Sequence, residues 1–398
     1  MKKAHVLQEI RTMRFKDIYE QRTHKQLTVE QAADLLGVNE RTFRRWVTRY
    51  EEEGANGLAD QRLNRIAHNA APVDEVMTLV SLYKTRYANW NVSHFYDQYR
   101  QQHQGERSYT WVKNKLQSHG VVTQAKKRGA HRRKRPRKPL AGMMLHQDGS
   151  THQWIEGEYW DLIVTMDDAS SHILSAFFVE EEGTWSSLRG VEEVITEYGL
   201  FCSLYVDRGS HYFHTPKAGG KVDKDNPTQF GRALQQLGID LIPAYSPEAR
   251  GRSERLFGTL QGRLPQELAL HNITTMQAAN DYLKTTFIPA FNQRFGVEPQ
   301  DSESAFVPYL GAPESLREIL CVHHQRTVNR DNTISFNRLS LQIPATPQRQ
   351  NYFKTKVNIH EYADGSLTVL HGPRRLATYD SEGNILTSTT KQKATTTA

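Results

Sequence analysis

A strongly basic run at residues 126–138 constrains the fold of this chain more than any other feature. The run contains nine Lys or Arg, together with Gly129 and Pro136, and almost nothing apolar. A segment of this composition cannot bury enough apolar surface to form a core, so we expect an extended linker at 126–139. The linker divides the 398-residue chain into two parts, which predicts a multidomain protein.

The two sides of this division differ in charge. Residues 1–139 carry 28 Lys and Arg against 14 Asp and Glu, whereas the remaining residues carry 23 against 30. A basic front beside an acidic remainder indicates that the N-terminal third binds a polyanion such as nucleic acid.

Several other classes of protein are disfavoured by the sequence. The chain has two cysteines, Cys202 and Cys321, which are too few for a disulfide framework. No apolar run approaches the ~20 residues of a membrane span, so we expect no membrane partner and an intracellular location, which fits a bacterial cytoplasm or a nucleus equally well. No Gly-rich phosphate loop is present, so we expect no use of ATP. The segment 321–324, Cys-Val-His-His, lacks a second cysteine at zinc spacing and is better explained as a β-strand.

Residues 1–65 predict a first helix-turn-helix DNA-binding domain made of short helices. Thr28 and Gln31 match a capping box at a helix start, and Gly37 supplies the following turn. A second helix, at about 39–50, buries its aromatic face and carries its cations largely off that face, as reading of the major groove requires. These cations are Arg41, Arg44, Arg45 and Arg49.

Residues 70–125 predict a second helix-turn-helix-like domain, with a purely structural bundle as the alternative. Its last helix follows Ser108 and directs Lys113 and Lys115 outward. The linker adds cations that would bind phosphates without regard to sequence and make affinity sensitive to salt. These are Lys126, Lys127, Arg128, Arg132, Arg133, Lys134, Arg135, Arg137 and Lys138.

Residues 140–311 alternate between strand and helix patterns and predict an α/β core. The first three strands have short connections and are expected to be antiparallel, whereas the later alternation is typical of parallel strands, so the sheet is mixed. The strands are predicted at 143–148, 159–167, 172–179, 201–206 and 239–242, and the helices at 184–198, 228–237, 252–264 and 275–293. Residues 312–385 predict a small β-barrel, and 386–398 a disordered tail.

Three acidic residues lie at landmarks of this core. Asp148 and Asp207 each close a hydrophobic run, and Glu254 opens an amphipathic stretch. Two carboxylates at strand ends and one on a helix suit a pair of Mg²⁺ ions, which prefer carboxylate oxygens and can clamp both oxygens of an in-line phosphoryl displacement. The rivals are residues 167–168, which are better explained by a hairpin turn, and Glu248, which precedes the helix.

The residues around these acids resemble the D-D-E transposases of bacterial insertion sequences, most closely the ISNCY-type group, which are related to retroviral integrases. The resemblance rests on 147–149 (Gln-Asp-Gly), on 206–210 (Val-Asp-Arg-Gly-Ser) and above all on 245–261. It spans roughly residues 25–380. The 46 residues between Asp207 and Glu254 exceed the spacing of many relatives. The N-terminal His/Cys zinc module of retroviral integrases is missing.

This resemblance implies a ribonuclease H-like core that hydrolyses a phosphodiester at the terminal inverted repeats of a mobile element. The freed 3′-hydroxyl would then attack target DNA in one transesterification step. Asp148 and Asp207 would bind metal, with Asp148 bridging two Mg²⁺ ions and Glu254 holding the second, and Mn²⁺ would be able to substitute. The partners would be double-stranded DNA and at least one further copy of the chain, at the nucleoid of a bacterial cytoplasm. A DNA-binding regulator without catalysis, or a nuclease without strand transfer, is the alternative.

Overall fold

The computed structural model describes residues 3–60, 71–124, 135–216, 220–223, 225–245, 251–345 and 349–388. The chain forms two compact units. The first contains residues 1–86 and 110–122, and the second contains residues 87–109 and 123–398. The units therefore divide residues 70–125 between them. Among the described residues, no helix has the length and apolar character needed to span a membrane.

The first unit begins with a long helix and a helix-turn-helix. Helix α1 (Lys3–Thr23) has 21 residues, so the prediction of short helices throughout was wrong here. Helices α2 (Val29–Leu36) and α3 (Glu40–Glu53) follow. The predicted capping box is present, because Thr28 accepts the Gln31 amide and its own amide donates to the Gln31 side chain. Gly37 ends α2 at φ +66°, a conformation that glycine adopts without strain.

An aromatic cluster holds these three helices together. The Phe15 side chain of α1 is 1% exposed and contacts the rings of Phe43, Trp46 and Tyr50, with centroids 5.5–6.0 Å apart. Helices α4 (Val73–Arg86) and most of α6 (Tyr109–Ser118) belong to the same unit. The predicted inward residues Val112 and Leu116 of α6 are fully buried.

Helix α5 (Val92–Gln101) belongs to the second unit, where polar contacts attach it to the core. His94 Nε2 lies 2.6 Å from Glu267 Oε1, and Asp97 pairs with Arg263 at 2.8 Å. All four side chains are largely buried. The hydrogen bond from His94 and its charge outweigh the effect of burial and hold the pKa of Glu267 below its ordinary value. These contacts make α5 part of the second unit.

The core is built on a five-stranded sheet with the order β3-β2-β1-β4-β5. Its strands are β1 (Leu145–Ile155), β2 (Glu158–Asp167), β3 (Ile173–Val179), β4 (Ser203–Val206) and β5 (Asp240–Pro243). Strands β1–β3 pair in antiparallel fashion, whereas β1–β4 and β4–β5 are parallel. The predicted mixed sheet is therefore confirmed.

Two hydrophobic clusters cover the sheet. One contains Leu145 of β1 and Leu204 of β4 with α7 (Thr184–Glu197) and α8 (Gln229–Leu237), and α13 (Pro313–Ile319) packs against it. The other contains Leu162, Val164 and Met166 of β2 with the later helices. These are α9 (Ser253–Gln261), α10 (Leu264–Leu270), α11 (Met276–Tyr282) and α12 (Ile288–Phe295). Because side chains alternate along a strand, α9 lies on the face opposite Leu145.

The predicted helix at 275–293 is interrupted. Residues Leu283–Phe287 form a π-helical turn between α11 and α12. Pro289 has no backbone N–H to donate to Thr285, and its ring would clash with that carbonyl in a regular helix. The wider turn accommodates the proline, a local effect that the apolar pattern of the sequence does not report.

The C-terminal region corrects two predictions. Among the described residues, β6 (Val322–Thr327) and β9 to β12 form one five-stranded antiparallel sheet, in the order β12-β11-β10-β9-β6, and β7 pairs with β8 in a separate hairpin. The sheet does not close into the predicted barrel, because β12 and β6 remain its two edges. Strand β12 also includes residues 386–388, which were assigned to a disordered tail. The remaining strands are β7 (Thr333–Phe336), β8 (Leu339–Gln342), β9 (Lys356–Glu361), β10 (Leu367–His371), β11 (Arg374–Tyr379) and β12 (Ile385–Ser388).

Candidate active site

Asp148 lies in the middle of β1, on the sheet face that α9 covers. Its partner across the antiparallel pair is Val164, which belongs to the same hydrophobic cluster as α9. The neighbours on its own face are His146 and Ser150, because residues two apart along a strand point the same way. Asp148 itself is half-buried. The predicted strand end at Asp148 was wrong, since β1 continues to Ile155.

Asp207 follows β4 directly and lies beside β1. The parallel register pairs Leu145 with Leu204 and His146 with Tyr205, and the latter two rings are 5.2 Å apart. Asp148 and Asp207 each come three residues after the paired leucines, which puts them at the same level of adjacent strands. The Gly209 amide donates to Asp207 Oδ1 at 2.7 Å and orients this carboxylate.

A buried phenol connects the two aspartates with a third acid that the sequence did not single out. Burial raises the pKa of Tyr212 well above its usual value, and the nearby charges of Glu182, Asp148 and Asp207 raise it further. The phenol oxygen lies 3.3 Å from Gln147 Oε1 and 3.5 Å from Glu182 Oε1. Tyr212 therefore stays protonated, and three carboxylates share its surroundings.

Glu182 is held by several contacts, although no motif in the sequence predicts it. Its amide donates to Asp161 Oδ2 at 2.7 Å, and its carboxylate lies 3.6 Å from His211 Nε2. A methyl group at Gly149 would come within 2.2 Å of Glu182 Oε2. The missing side chain at Gly149 thus leaves room for the Glu182 carboxylate. A glycine follows Asp148 because space is short there, and not because the backbone adopts a conformation that favours glycine.

Glu254 is an exposed residue in the first turn of α9. The helix is held on the sheet by the buried side chains of Leu256, Phe257 and Leu260. At its C-terminal end, Gln261 donates to Ser150 Oγ of β1 at 2.9 Å. Residues 246–250, which precede α9 and include the rival Glu248, lie outside the described residues.

Arg252 fixes the other end of α9 by pairing with Asp168. Asp168 has no exposed surface and also contacts His146 Nε2 at 2.7 Å and Arg135 at 2.5 Å. Burial opposes its ionisation, but hydrogen bonds from His146, Arg252 and the Lys138 amide outweigh that effect and lower its pKa. Asp168 is therefore a structural anion that ties β1 and α9 together.

The neighbouring Asp167 has the turn role that the sequence predicts for it. Its Oδ2 accepts the amide and the hydroxyl of Ser170, at 2.7 and 2.8 Å, and its Oδ1 accepts the Gly142 amide. These donors belong to the β2–β3 turn and to the segment before β1. This residue is thus accounted for without any role in catalysis.

The three predicted acids do not form a closed cluster of ligands. Among the described residues, one group of three His, Cys, Asp or Glu side chains has all its ligand atoms within 4.8 Å of one another, and it consists of Cys321, His323 and His360. The structure brings Asp148 and Asp207 to one level of the sheet and puts Glu254 on the helix that covers the same face.

The predicted DNA-contacting cations fall into three groups. Those of α3 and Lys113 of α6 are exposed, and Arg44 pairs with Glu40 at 2.9 Å. The Lys115 ammonium lies 5.8 Å from the centroid of the Trp111 ring. Arg137 contacts the carbonyl oxygens of the β2–β3 turn, so it joins Arg135 in holding the linker on the core. Of the other seven linker cations, Lys138 donates its backbone amide to Asp168 Oδ2 at 2.8 Å. The remaining six, at 126–128 and 132–134, lie outside the described residues.

This chain is similar to a DNA-binding domain family and to bacterial transposases. Residues 19–59 match the homeodomain-like domain family, which confirms a helix-turn-helix at α2 and α3. The chain is similar to y4bF, a predicted transposase of Sinorhizobium fredii, with 29% identity over 86% of this chain and 75% of that protein. It is also similar to the transposase for insertion sequence IS1202 of Streptococcus pneumoniae, with 28% identity over 85% of this chain and 80% of the relative.

Solved structures with weaker similarity include viral integrases. A simian T-cell lymphotropic virus intasome in complex with the PP2A regulatory subunit B56 gamma shares 14% identity over 73% of this chain and 91% of the matched chain, with a TM-score of 0.34. The HTLV-2 integrase catalytic core domain in complex with magnesium shares 15% identity over 36% of this chain and 83% of its own, with a TM-score of 0.28.

Proposed function

We propose that this protein is a D-D-E transposase with a ribonuclease H-like core. It cleaves phosphodiesters at the terminal inverted repeats of a mobile element and joins the 3′-hydroxyl ends to target DNA. The observation that carries the proposal is the common level of Asp148 and Asp207 on adjacent parallel strands, in a chain that is similar to transposases over most of its length.

The position of α9 supports Glu254 as the third acid. Arg252 contacts Asp168, which contacts His146, and Gln261 contacts Ser150, so α9 runs in the same direction as β1. The nine helical steps from 252 to 261 rise about 13.5 Å, and the four strand steps from 146 to 150 rise about 13 Å. Glu254 lies two helical steps, about 3 Å, beyond Arg252, and Asp148 lies two strand steps beyond His146. The two acids therefore differ in level by roughly one strand residue.

The direction in which the Glu254 side chain leaves α9 also supports this residue as the third acid. Glu254 and Gln261 are separated by seven residues, close to two full turns, so both side chains leave α9 on nearly the same side. Gln261 donates to Ser150, which shares a face of β1 with Asp148. Glu254 is thus directed toward the strand that carries Asp148.

The donor set fits Mg²⁺. Asp148 and Asp207 are half-buried carboxylates, the hard oxygen ligands that Mg²⁺ prefers, and solvent access leaves room for the waters that it retains. Asp148 would contact both ions, with Asp207 and Glu254 each completing one site, and Mn²⁺ would occupy the same ligands. When bound, the two ions would supply in-line transesterification with charge stabilisation for the attacking and leaving oxygens.

Other side chains position these ligands. The Gly209 amide fixes one oxygen of Asp207, and Gln147 contacts Ser187 and Tyr212 from the residue before Asp148. The protonated Tyr212 reduces repulsion among the acids around it by offering a hydrogen-bond donor. Arg252 and Gln261 hold both ends of α9, so Glu254 projects from a fixed helix.

DNA recognition would come from the N-terminal cations. We propose that α3 reads the major groove with Arg41, Arg44, Arg45 and Arg49, and that Lys113, Lys115 and the linker cations bind phosphates. Two element ends must be joined, so at least two copies of the chain are needed on DNA. The reaction would take place at the nucleoid of a bacterial cytoplasm.

An end-joining assay tests the proposal. Purified protein is incubated with DNA that carries the sequence flanking the gene and with a target plasmid, in Mg²⁺ or in EDTA. We expect metal-dependent nicking and joined products from the wild type and from Asp240→Asn, which alters an exposed carboxylate. Asp148→Asn and Glu254→Gln should lose both products. Tight binding without cleavage in Mg²⁺ or Mn²⁺ would instead support a DNA-binding regulator, and nicking without joining a nuclease.

A further inference from the structure

A second cluster of ligand atoms lies at the start of the C-terminal sheet. Cys321 directly precedes β6, His323 is the second residue of β6, and His360 lies in β9. The antiparallel register pairs His323 with His360, and their rings stack with centroids 3.9 Å apart and planes 2° from parallel. The sulfur and a nitrogen from each ring all lie within 4.8 Å of one another.

Two members of this cluster are buried, and one of them has a ring nitrogen without a hydrogen-bond partner among the described residues. Cys321 is fully buried, and His360 is 9% exposed. The Nδ1 atom of His360 has no hydrogen-bond partner among the described residues. A buried polar atom without a partner is costly and uncommon in folded proteins, so this nitrogen needs an explanation. A metal ion bound through this nitrogen would provide one.

The backbone around Glu318 prepares the other two side chains. The Glu318 carbonyl oxygen lies 3.2 Å from His323 Nε2 and 3.0 Å from Cys321 Sγ. A carbonyl that accepts the Nε2–H of a histidine leaves its Nδ1 as a lone-pair donor, which is the usual arrangement behind a metal-binding imidazole. The same carbonyl keeps the thiol turned toward the two rings.

We propose that Cys321, His323 and His360 form a Zn²⁺ site that ties β6 and β9 together. One thiolate and two imidazoles are ligands that zinc accepts in tetrahedral geometry, with a fourth position left for water. Zn–S and Zn–N bonds of about 2.3 and 2.0–2.1 Å would set the ligand atoms ~3.3–3.6 Å apart. The ligand atoms, which lie within 4.8 Å of one another, would have to move together by up to about 1.5 Å. The two stacked rings would also have to rotate, because the lone pair of an imidazole lies in the plane of its own ring. It offers no carboxylate, which distinguishes it from the proposed Mg²⁺ site.

Metal binding at this cluster would reinforce a junction between the core sheet and the C-terminal sheet. Gln229 of α8 makes two hydrogen bonds to the backbone of His323, both at 3.0 Å. Its side-chain nitrogen donates to the His323 carbonyl, and its side-chain oxygen accepts the His323 amide. Arg232 of α8 donates to the carbonyl of Cys321 at 2.5 Å and to that of Ile319 at 3.1 Å. Burial raises the pKa of the Cys321 thiol and the charge of Arg232 opposes that shift only in part, so metal binding would have to displace the thiol proton to solvent. The role we infer is structural and separate from catalysis.

Cobalt substitution in untagged full-length protein tests the site, because a thiolate bound to Co²⁺ gives a charge-transfer band and tetrahedral Co²⁺ absorbs strongly in the visible. We expect one Co²⁺ per chain with both features, full displacement by Zn²⁺ and no competition from Mg²⁺. Cys321→Ser should abolish the charge-transfer band, and His360→Gln should weaken metal binding by more than the 10–100-fold that loss of an outer partner causes.

Matched controls come from the same chain. Cys202→Ser changes its other, exposed cysteine, and His324→Gln changes the next histidine of β6, which pairs with Glu361 at 2.8 Å. Both controls should bind Co²⁺ as the wild type does. A wild-type spectrum without a thiolate band, or a band that disappears with Cys202→Ser, would overturn the proposal. The wild-type spectrum decides the matter even if a variant fails to fold.

Discussion

The buried carboxylate of Asp168 offers a sharp test of how the core is held together. It has no exposed surface and contacts His146, Arg135 and Arg252, whose side chains are 2%, 38% and 11% exposed. Asp168→Asn removes the charge while keeping the size. The new amide group would also face the Lys138 N–H, which now donates to Asp168 Oδ2 at 2.8 Å.

The expected loss in the free energy of unfolding depends on which partners of Asp168 are buried. Removing one member of a buried ion pair costs about 3–5 kcal/mol, because the remaining charge is left without compensation. The half-exposed Arg135 adds little to this, since solvent screens it. We therefore expect Asp168→Asn to lower the free energy of unfolding of the second unit by about 3–5 kcal/mol through Arg252 and His146.

The effect should depend on pH in a definite direction. The pKa of Asp168 is lowered in the folded state, so its stabilisation is complete above the ordinary aspartate pKa of about 4 and is lost as pH falls through the folded value. The difference between wild type and Asp168→Asn should thus shrink as the pH falls below ~4.

Denaturant-dependent hydrogen exchange of the β1 and β2 amides measures this free energy in the full-length chain. Asp240→Asn, the same chemical change at an exposed position, should shift it by less than about 0.5 kcal/mol. DNA cleavage by Asp168→Asn should also fall, because Arg252 lies two residues before Glu254. A loss of stability below about 1 kcal/mol at neutral pH would refute the argument that Asp168 anchors α9.

Three further outcomes are expected. Lys113→Ala should reduce the slope of log K against log salt for DNA binding by about 0.9, because we propose that this exposed cation binds one phosphate, whereas Glu52→Gln should leave the slope unchanged. Asp97→Ala should destabilise the second unit by about 3 kcal/mol, because it leaves the buried Arg263 unpaired, and should speed hydrogen exchange across α5. Tyr212→Phe should cost about 1–3 kcal/mol in thermal or chemical denaturation, since the hydroxyl partners of this buried phenol would be left unsatisfied.

Local patterns predicted much of this fold. The capping box at Thr28 located α2, and the alternation of apolar residues located β2 to β5 to within two residues and the start, but not the end, of β1. The lengths of the connections between strands also distinguished the antiparallel first half of the core sheet from its parallel second half, because short loops cannot connect parallel neighbours. Each of these features depends on residues close together in the sequence.

The remaining features depend on contacts between distant residues. The hub at Asp168 needs Arg135 and Arg252, which lie 33 and 84 residues away in sequence, and no local pattern relates them. His360 meets His323 only because β6 and β9 pair in one register. The C-terminal strands were predicted as strands, but whether they close into a barrel depends on edge pairing that alternation does not encode.

The most direct measurement of the central claim is iron-mediated cleavage of the polypeptide. Fe²⁺ replaces Mg²⁺ at carboxylate sites, and with ascorbate and peroxide it cuts the backbone next to the bound ion. The experiment uses Cys321→Ser, so that the cluster at β6 does not hold the iron, and maps the fragments by mass spectrometry. Our account predicts cuts close to Asp148, Asp207 and Glu254, suppressed by excess Mg²⁺ and absent from Asp148→Asn. Cuts that omit the Glu254 region, or that persist in Asp148→Asn, would contradict it.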